Sequence, residues 1–460
     1  MTKVRSTVYE SFRQRFPESA RLAAEAGQVV PRVVTHDARH LDPFPLYMSH
    51  ALGSHKWDVD GNEYIDYAGG HGSLFLGHSH PDIVRAVQAQ MERGTHYGFS
   101  HEREVRWAEL IVRLVPCADR VEFTMSGTES VMLALRIARG YTGRTKIIKF
   151  QEHFHGWYDQ VCHALAYPYE QPSTLGLDDG QLASVAVLPP NRIAPVREAL
   201  EGGDVAAVIL EPGGARGGFL PVDREYLQQL REETAKAGTV LIFDEVITGF
   251  RYSPGGAQQY FGVTPDLSTF GKIVGGGLPS GAVGGRAEVM EVLEYGRLGE
   301  KGRPGRVSHT GTFNANPLAA AAGVVMLEHV ATGLPHQRAN QTAATLRGKM
   351  NGVLDELDVS GRVFGDCSML HLLLAPPDRC PPLTAEGLIP SDWPLEYLAD
   401  NKGVVSTHLK RALLLEGVDV LSDHGWVSAA HDEDDVEETA RAFRRALQRL
   451  LAEDLVFRRS

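Results

Sequence analysis

The chain has 460 residues, 43% hydrophobic and 23% charged, an ordinary globular composition long enough for a large domain with a smaller companion. Its 46 Lys and Arg against 58 Asp and Glu leave a net charge of -12, which argues against a nucleic-acid partner, and no apolar run approaches the roughly 20 residues of a membrane span. The four cysteines, Cys117, Cys162, Cys367 and Cys380, show no CxxC spacing, which suits a reducing cytoplasm and speaks against a structural zinc.

In chain order, residues 1–27 read as an amphipathic helix that lacks the apolar core and cleavage site of a signal peptide. In "HKWDVDGNEYIDY" (55–67), Asp60-Gly61 separates two alternating runs and predicts a β-hairpin. From about 100 to 330, helical stretches alternate with short apolar runs: "ADRVEFTM", "TKIIKF", "DVAAVILEP", "TVLIFDEV" and "PDLSTFGK". Short, nearly continuous apolar runs are the mark of parallel strands covered on both faces, so this region is an α/β domain with a mainly parallel sheet. Beyond 330 the chain reads as a smaller α+β domain, with a helix over 335–357, a Pro-rich surface loop over 376–394 and a last helix over 432–454.

Ligands bind such sheets at the carboxyl ends of the strands, so the polar residues there come first. In "TMSGTES" (124–130), Ser126 and Glu129 have capping-box spacing, while Gly127 and Thr128 leave N–H groups open at a positive helix end suited to phosphate. An ordinary helix start and a phosphate site both stand at this point. In "LIFDEVITGFR" (241–251), Asp244 and Glu245 end a buried strand, where a carboxylate needs a partner. That partner is either the next helix, through an N-cap, or a permanently cationic ligand atom, which the depth of the strand favours.

"FGKIVGGGLPSGAVGG" (270–285) sets Lys272 ahead of a glycine-rich run. It is no Walker loop, because Asp266 stands where the first glycine belongs and Ile273 follows the lysine; nor is it GxGxxG, because Ser280 stands at the third glycine. What is left is a lysine at a strand end, crowded by glycine backbone that a flat ligand can approach. A poorly hydrated lysine of this kind is a plausible amine nucleophile, whereas a lone lysine by a loop is usually only solvated. A phosphate-type helix start, a buried acid and a reactive-type lysine on successive strand ends are together answered by pyridoxal 5'-phosphate, which combines a phosphate, a protonated ring nitrogen and an aldehyde.

Over nearly its whole length the chain resembles a class III (subgroup II) aminotransferase of fold type I, in the branch of glutamate-1-semialdehyde 2,1-aminomutase and the β-amino-acid and amine transaminases. The resemblance is carried by "WDVDGNEYIDY", "LGHSHP", "SGTES", "LIFDEVITGFR", "PDLSTFGKIVGGGLPSGAVGG", "HTGTFNANP" and "SAAH". It implies a large cofactor-binding domain over 69–330, a small domain over 331–460, and a segment 1–68 that contributes to the small domain. By position it implies that Lys272 holds the cofactor covalently and shuttles the substrate proton, and that Asp244 keeps the pyridine nitrogen protonated. Ser126, Gly127 and Thr128 would bind the phosphate, and Val246 and His155 would contact the ring. Phe154 stands where the family has tyrosine, so stacking survives and the hydroxyl is lost. Thr312 is implied to reach the phosphate of a neighbouring subunit, hence a homodimer. The HxH pairs His78/His80 and His153/His155 lack a third ligand motif, and no metal is expected.

Transaminases and aminomutases share this machinery. Gly70-His71-Gly72 replaces the aminomutase Ser-Trp-Gly, and "LSDHGWVSAAH" replaces its Phe-Glu-Ala-Gly-Phe, so an intermolecular transaminase ranks above the aminomutase. A substrate carboxylate calls for an arginine fork, for which Arg39 and Arg251 are candidates, while His71, Trp157 and Trp426 could wall an amine pocket. A cofactor-binding regulatory protein without turnover is the alternative of another class; intact Lys272 and Asp244 speak against it.

Overall fold

The computed structural model describes residues 7–296 and 305–459. The chain divides into two compact units: Met1–His80 with Gln337–Ile389 and Glu396–Ser460, and Pro81–His336 with Pro390–Leu395. The divisions fall after His80 and His336, against 68 and 330 read from the sequence.

The second unit is built on a seven-stranded sheet. Its strand order is Arg120–Thr124, Gly281–Gly285, Leu267–Gly271, Val240–Asp244, Val205–Leu210, Lys146–Phe150 and Val185–Leu188. All pairings are parallel except those of Gly281–Gly285, which runs antiparallel to both neighbours. Alternation along Val205–Leu210 explains the covering on two sides. Ala207 and Ile209 pack with Leu135 and Ile137 of helix Gly127–Thr142, whereas Val208 and Leu210 pack with Tyr226, Leu227 and Leu230 of helix Arg224–Ala237.

Two strands escape the sequence reading: the edge strand Val185–Leu188, and Gly281–Gly285, whose "GAVGG" lacks a strand's side-chain signature. Close packing explains the second. A Cβ on Gly281 would lie 2.5 Å from the Ser126 carbonyl and closer still to the hydroxyls of Thr124 and Ser130, so only glycine lets this strand pass the start of helix Gly127–Thr142. The glycines after Lys272 likewise serve packing: a Cβ on Gly276 would strike Ala322 of helix Pro317–Ala331. Among the described residues, no single helix is long and apolar enough to cross a membrane.

The first unit holds a four-stranded sheet in the order Met48–Leu52, His55–Asp58, Glu63–Asp66 and Val418–Asp419. His55–Asp58 and Glu63–Asp66 form the expected hairpin, with Gly61 at φ 83° in its turn. A three-stranded sheet joins Gly361–Phe364, Met369–Leu374 and His424–Trp426. The closing helix Glu433–Ala452 starts with a reciprocal cap in which Asp435 N–H donates to Asp432 and Asp432 N–H donates to Asp435. Where one helix was expected over 1–27 there are two, Thr7–Arg15 and Pro17–Ala26, because Pro17 has no N–H to continue the first and starts the second instead; residues 1–6 lie outside the described residues. The Pro-rich loop is irregular apart from one 3-10 turn at Pro377–Arg379.

Candidate active site

A cavity of about 170 Å³ opens at the carboxyl ends of the central strands of the second unit. One wall is the start of helix Gly127–Thr142. Ser126, extended at φ -158°, caps it by accepting from Glu129 N–H at 3.2 Å. The Glu129 carboxylate accepts from Met125 N–H at 2.7 Å, one residue before the capping residue, so the expected box is displaced by a position. The N–H groups of Gly127 and Thr128 belong to the first turn, which has no intrahelical acceptor, and both residues line the cavity. Glycine at 127 is required by Val246, whose methyls would lie 2.8 Å from an added Cβ.

Asp244 ends the Val240–Asp244 strand and is 4% exposed. Its Oδ1 accepts from Val246 N–H (3.2 Å) and from the Thr269 hydroxyl (3.0 Å), and its Oδ2 pairs with His155 Nδ1 (2.7 Å). Burial lowers the pKa of His155 against the pull of Asp244, which favours a neutral ring donating Nδ1–H to the carboxylate. A carboxylate has about four acceptor sites, and three donors leave it room for one more. The adjacent Glu245 points to the other side of the chain, where it accepts from Thr248 Oγ1, Ala257 N–H and Gln258 Nε2 at 3.0, 2.6 and 2.9 Å. Burial raises the Glu245 pKa against these donors. The two carboxylates of "DEV" thus divide between the cavity and a loop clamp.

Lys272 follows the Leu267–Gly271 strand with φ 52°, a left-handed backbone that costs a non-glycine residue about 1 kcal/mol or more. Lys272 lines the cavity together with Asp244. Burial lowers its pKa, Asp244 and Glu211 oppose the change, and the Arg251 guanidinium adds to it. The turn after Lys272 is pinned by Trp107, whose buried indole N–H donates to Val274 O at 3.0 Å.

Phe154, His155, Val246 and Ile247 complete the wall, so Ser126, Gly127, Thr128, Phe154, His155, Asp244, Val246 and Lys272 are brought together. The other sequence candidates lie elsewhere. Arg251 is buried at 1% exposure and does not line the cavity; Trp157 is 79% exposed. Thr312 lines a separate surface depression with His96 and Asn314. Arg39 and His71 line a cavity of about 480 Å³ within the first unit. There Asp66 accepts from Ala68 and Gly69 N–H and so fixes a turn in which His71 takes a left-handed conformation. Asp66 in turn pairs with Lys56 (2.8 Å) and His78 (2.6 Å), and Lys56 also reaches Asp419 at 2.5 Å. Trp426 is buried in strand His424–Trp426, against Gly72.

Three contributors were missed in the sequence: Thr269, Trp107 and Glu211. Glu211 had a usable signal, since it follows the apolar run "VAAVIL" as Asp244 follows "VLIF". It is 5% exposed and lines the cavity, and burial pushes its pKa up to about 8.

The chain matches the family model "Aminotransferase class-III" over residues 36–405. The chain belongs to the class-III aminotransferase family. Among this aminotransferase's relatives is the glutamate-1-semialdehyde 2,1-aminomutase of Methanopyrus kandleri, 37% identical over 95% of this chain and 99% of that protein. Similar solved structures include an omega-transaminase from Sphaerobacter thermophilus, 35% identical with TM-score 0.83 over 94% and 97% of the two chains. Another is a transaminase with PLP bound, 32% identical with TM-score 0.84 over 95% and 98%. Class-III aminotransferases are enzymes that work with pyridoxal 5'-phosphate, and the fold here is that of the type I transferases. The residues present suit that group: an open helix N-terminus for a phosphate, a buried carboxylate with a spare acceptor site for a ring N–H, and an amine of lowered pKa for an aldehyde.

Proposed function

We propose that this enzyme transfers an amino group from an amine or β-amino-acid donor to a keto-acid or aldehyde acceptor, using pyridoxal 5'-phosphate. The observation that carries the reading is the convergence of Ser126–Thr128, Asp244 and Lys272 from three strand ends on one cavity. Bound there, the cofactor supplies an aldehyde that condenses with amines and a ring that takes up the electrons released at the substrate carbon.

The protein's own part is to bind, orient and move a proton. Gly127 and Thr128 N–H groups and the Ser126 hydroxyl hold the phosphate. Asp244, oriented by His155 and Thr269, accepts from the ring nitrogen. Val246 and Phe154 pack against the ring faces. Lys272 would hold the cofactor covalently and, once freed by substrate, would serve as the proton carrier; burial, which lowers its pKa, favours the neutral amine that this role needs. Thr312 serves the phosphate of a second copy in a homodimer. Arg39 is the candidate carboxylate fork, beside His71 in the first unit's own cavity; Arg251, buried, acts on Lys272 through its charge. The four cysteines, scattered without CxxC spacing, support a cytoplasmic setting.

The aminomutase is the second reading, favoured by the Methanopyrus relative; His71 in place of the aminomutase tryptophan supports transfer between molecules. The experiment is to bleach the yellow protein with borohydride and find the cofactor on the Lys272 peptide, then screen amine and β-amino-acid donors against pyruvate and 2-oxoglutarate. Amination of a keto acid is expected. Isomerisation of glutamate semialdehyde without any keto-acid amination would replace this reading by the second, and no turnover in either assay would leave a cofactor binder.

A further inference from the structure

Glu211 stands one residue past a strand whose six residues are all buried, and its carboxyl has no salt-bridge partner among the described residues. It is held instead by backbone. Oε1 accepts from Phe154 N–H at 2.8 Å, Oε2 accepts from Gly217 N–H at 2.9 Å, and the Glu211 N–H donates to His153 Nδ1 at 2.9 Å. One side chain therefore ties together two loops at the mouth of the cavity, the one after strand Lys146–Phe150 and the one after its own strand.

Both loops carry unfavourable backbone. Glu152 (φ 61°) and Arg216 (φ 55°) are left-handed non-glycine residues, and such conformations persist only where neighbouring bonds impose them. Phe154 has the most to lose. Phe154 is 55% exposed and its ring makes no stacking contact among the described residues, yet it lines the cavity together with Val246. Its position is thus set by its backbone, and Glu211 holds that backbone.

We infer that Glu211 is a positioning residue that fixes Phe154 over the cofactor cavity by bridging the Phe154 and Gly217 amides. The inference rests on the cofactor reading above, but its first consequence does not. A glutamine can accept only one of the two N–H groups, because its amide nitrogen is a donor. An aspartate is one methylene too short to bridge both.

The test uses the full-length chain carrying Glu211→Gln. In the apoprotein, amide exchange at Phe154 and Gly217 is expected to rise about tenfold or more, as for loss of a hydrogen bond to a carboxyl, while the strand amides of Val208 and Ile209 stay protected. In the loaded enzyme, pyridoxal 5'-phosphate should dissociate about tenfold faster, with the visible circular dichroism of the bound cofactor reduced. On a Phe154→Ala background the same substitution should leave dissociation unchanged, since its effect acts through that ring. Unaltered exchange at Phe154 and Gly217 overturns the bridge. Raised exchange with unaltered cofactor release, or equal effects with and without the Phe154 ring, overturns the positioning role while leaving the Lys272 site intact. Failure of the wild-type chain to bind the cofactor at all would sink the cofactor reading and leave the exchange result standing.

Discussion

Replacing Gly281 by alanine should damage both the sheet and the phosphate end of the cavity. The added methyl lies 2.5 Å from Ser126 O, nearer than a carbon and an oxygen can sit, so the helix start must retreat by about 1 Å. That start is knit by a compact set of contacts: Thr124 Oγ1 and Ser130 Oγ lie 2.7 Å apart, and their two protons are shared among that pair, Ser126 O and Phe270 O, all within 3.1 Å. Overpacking costs about 1–3 kcal/mol, and losing one of these bonds adds about 1, giving about 3 kcal/mol in all. For a unit of this size that lowers the apoprotein's melting midpoint by about 6 °C or more. The N–H groups of Gly127 and Thr128 move with the helix, so cofactor affinity should weaken by about tenfold. Calorimetry of the apoprotein and a fluorescence titration with pyridoxal 5'-phosphate read the two effects. A midpoint shifted by less than about 1 °C together with an unchanged titration would refute the packing argument.

Thr269→Val removes one of the three donors to Asp244 and should raise the cofactor dissociation constant about fivefold, about 1 kcal/mol, in the same titration. Lys56→Met leaves Asp66 and Asp419 buried without their shared cation; a loss of about 3–5 kcal/mol should appear as a lower midpoint of the first unit in calorimetry. Glu211 holds its proton more tightly folded than unfolded, so its contribution to stability is complete below its ordinary value of 4.5 and is lost as pH rises through about 8. Burial is the main cause; Asp244 raises the value further, Lys272 lowers it, and the Phe154 and Gly217 amides lower it too. The apoprotein's melting midpoint should therefore fall more steeply from about pH 5 to 8 in the wild type than in Glu211→Gln, and parallel curves would count against it.

The parallel strands were legible because burial on both faces leaves a run such as "VAAVIL" without polar interruption, and the residue that ends each run then stands out. Asp244 and Lys272 were read this way, and Glu211 could have been. The strand Gly281–Gly285 was not legible, because its glycines answer to what surrounds them: hydroxyls and a carbonyl from residues 124 to 130 leave no space for a side chain at Gly281, and Ala118, Phe270 and Leu267 crowd Gly284 and Gly285. Its glycines were read as clearance for a flat ligand, and the structure turns them toward protein instead. The helix break before Pro17 was readable from proline alone. The substrate side was least legible, since an arginine's surroundings come from distant parts of the chain. Nothing in "ITGFR" distinguishes a buried Arg251 from an open fork, and nothing in "DARH" reveals that Arg39 borders the same hollow as His71.

The sheet order carries a consequence for how the enzyme comes into being. Among the described residues, strand Arg120–Thr124 pairs only with Gly281–Gly285, about a third of the chain later. A nascent chain that has emerged as far as Lys272 still holds its first strand unpaired, and the site has its lysine before it has a closed wall. The first unit waits longer, because its sheet takes Val418–Asp419 beside Glu63–Asp66, and its core needs the final helix. Both units are thus completed by late-made segments, a topology that slows folding and exposes apolar strands meanwhile. Truncations near the carboxyl end should be felt at residue 66, and refolding yield, rather than final stability, is where this sequence is most vulnerable.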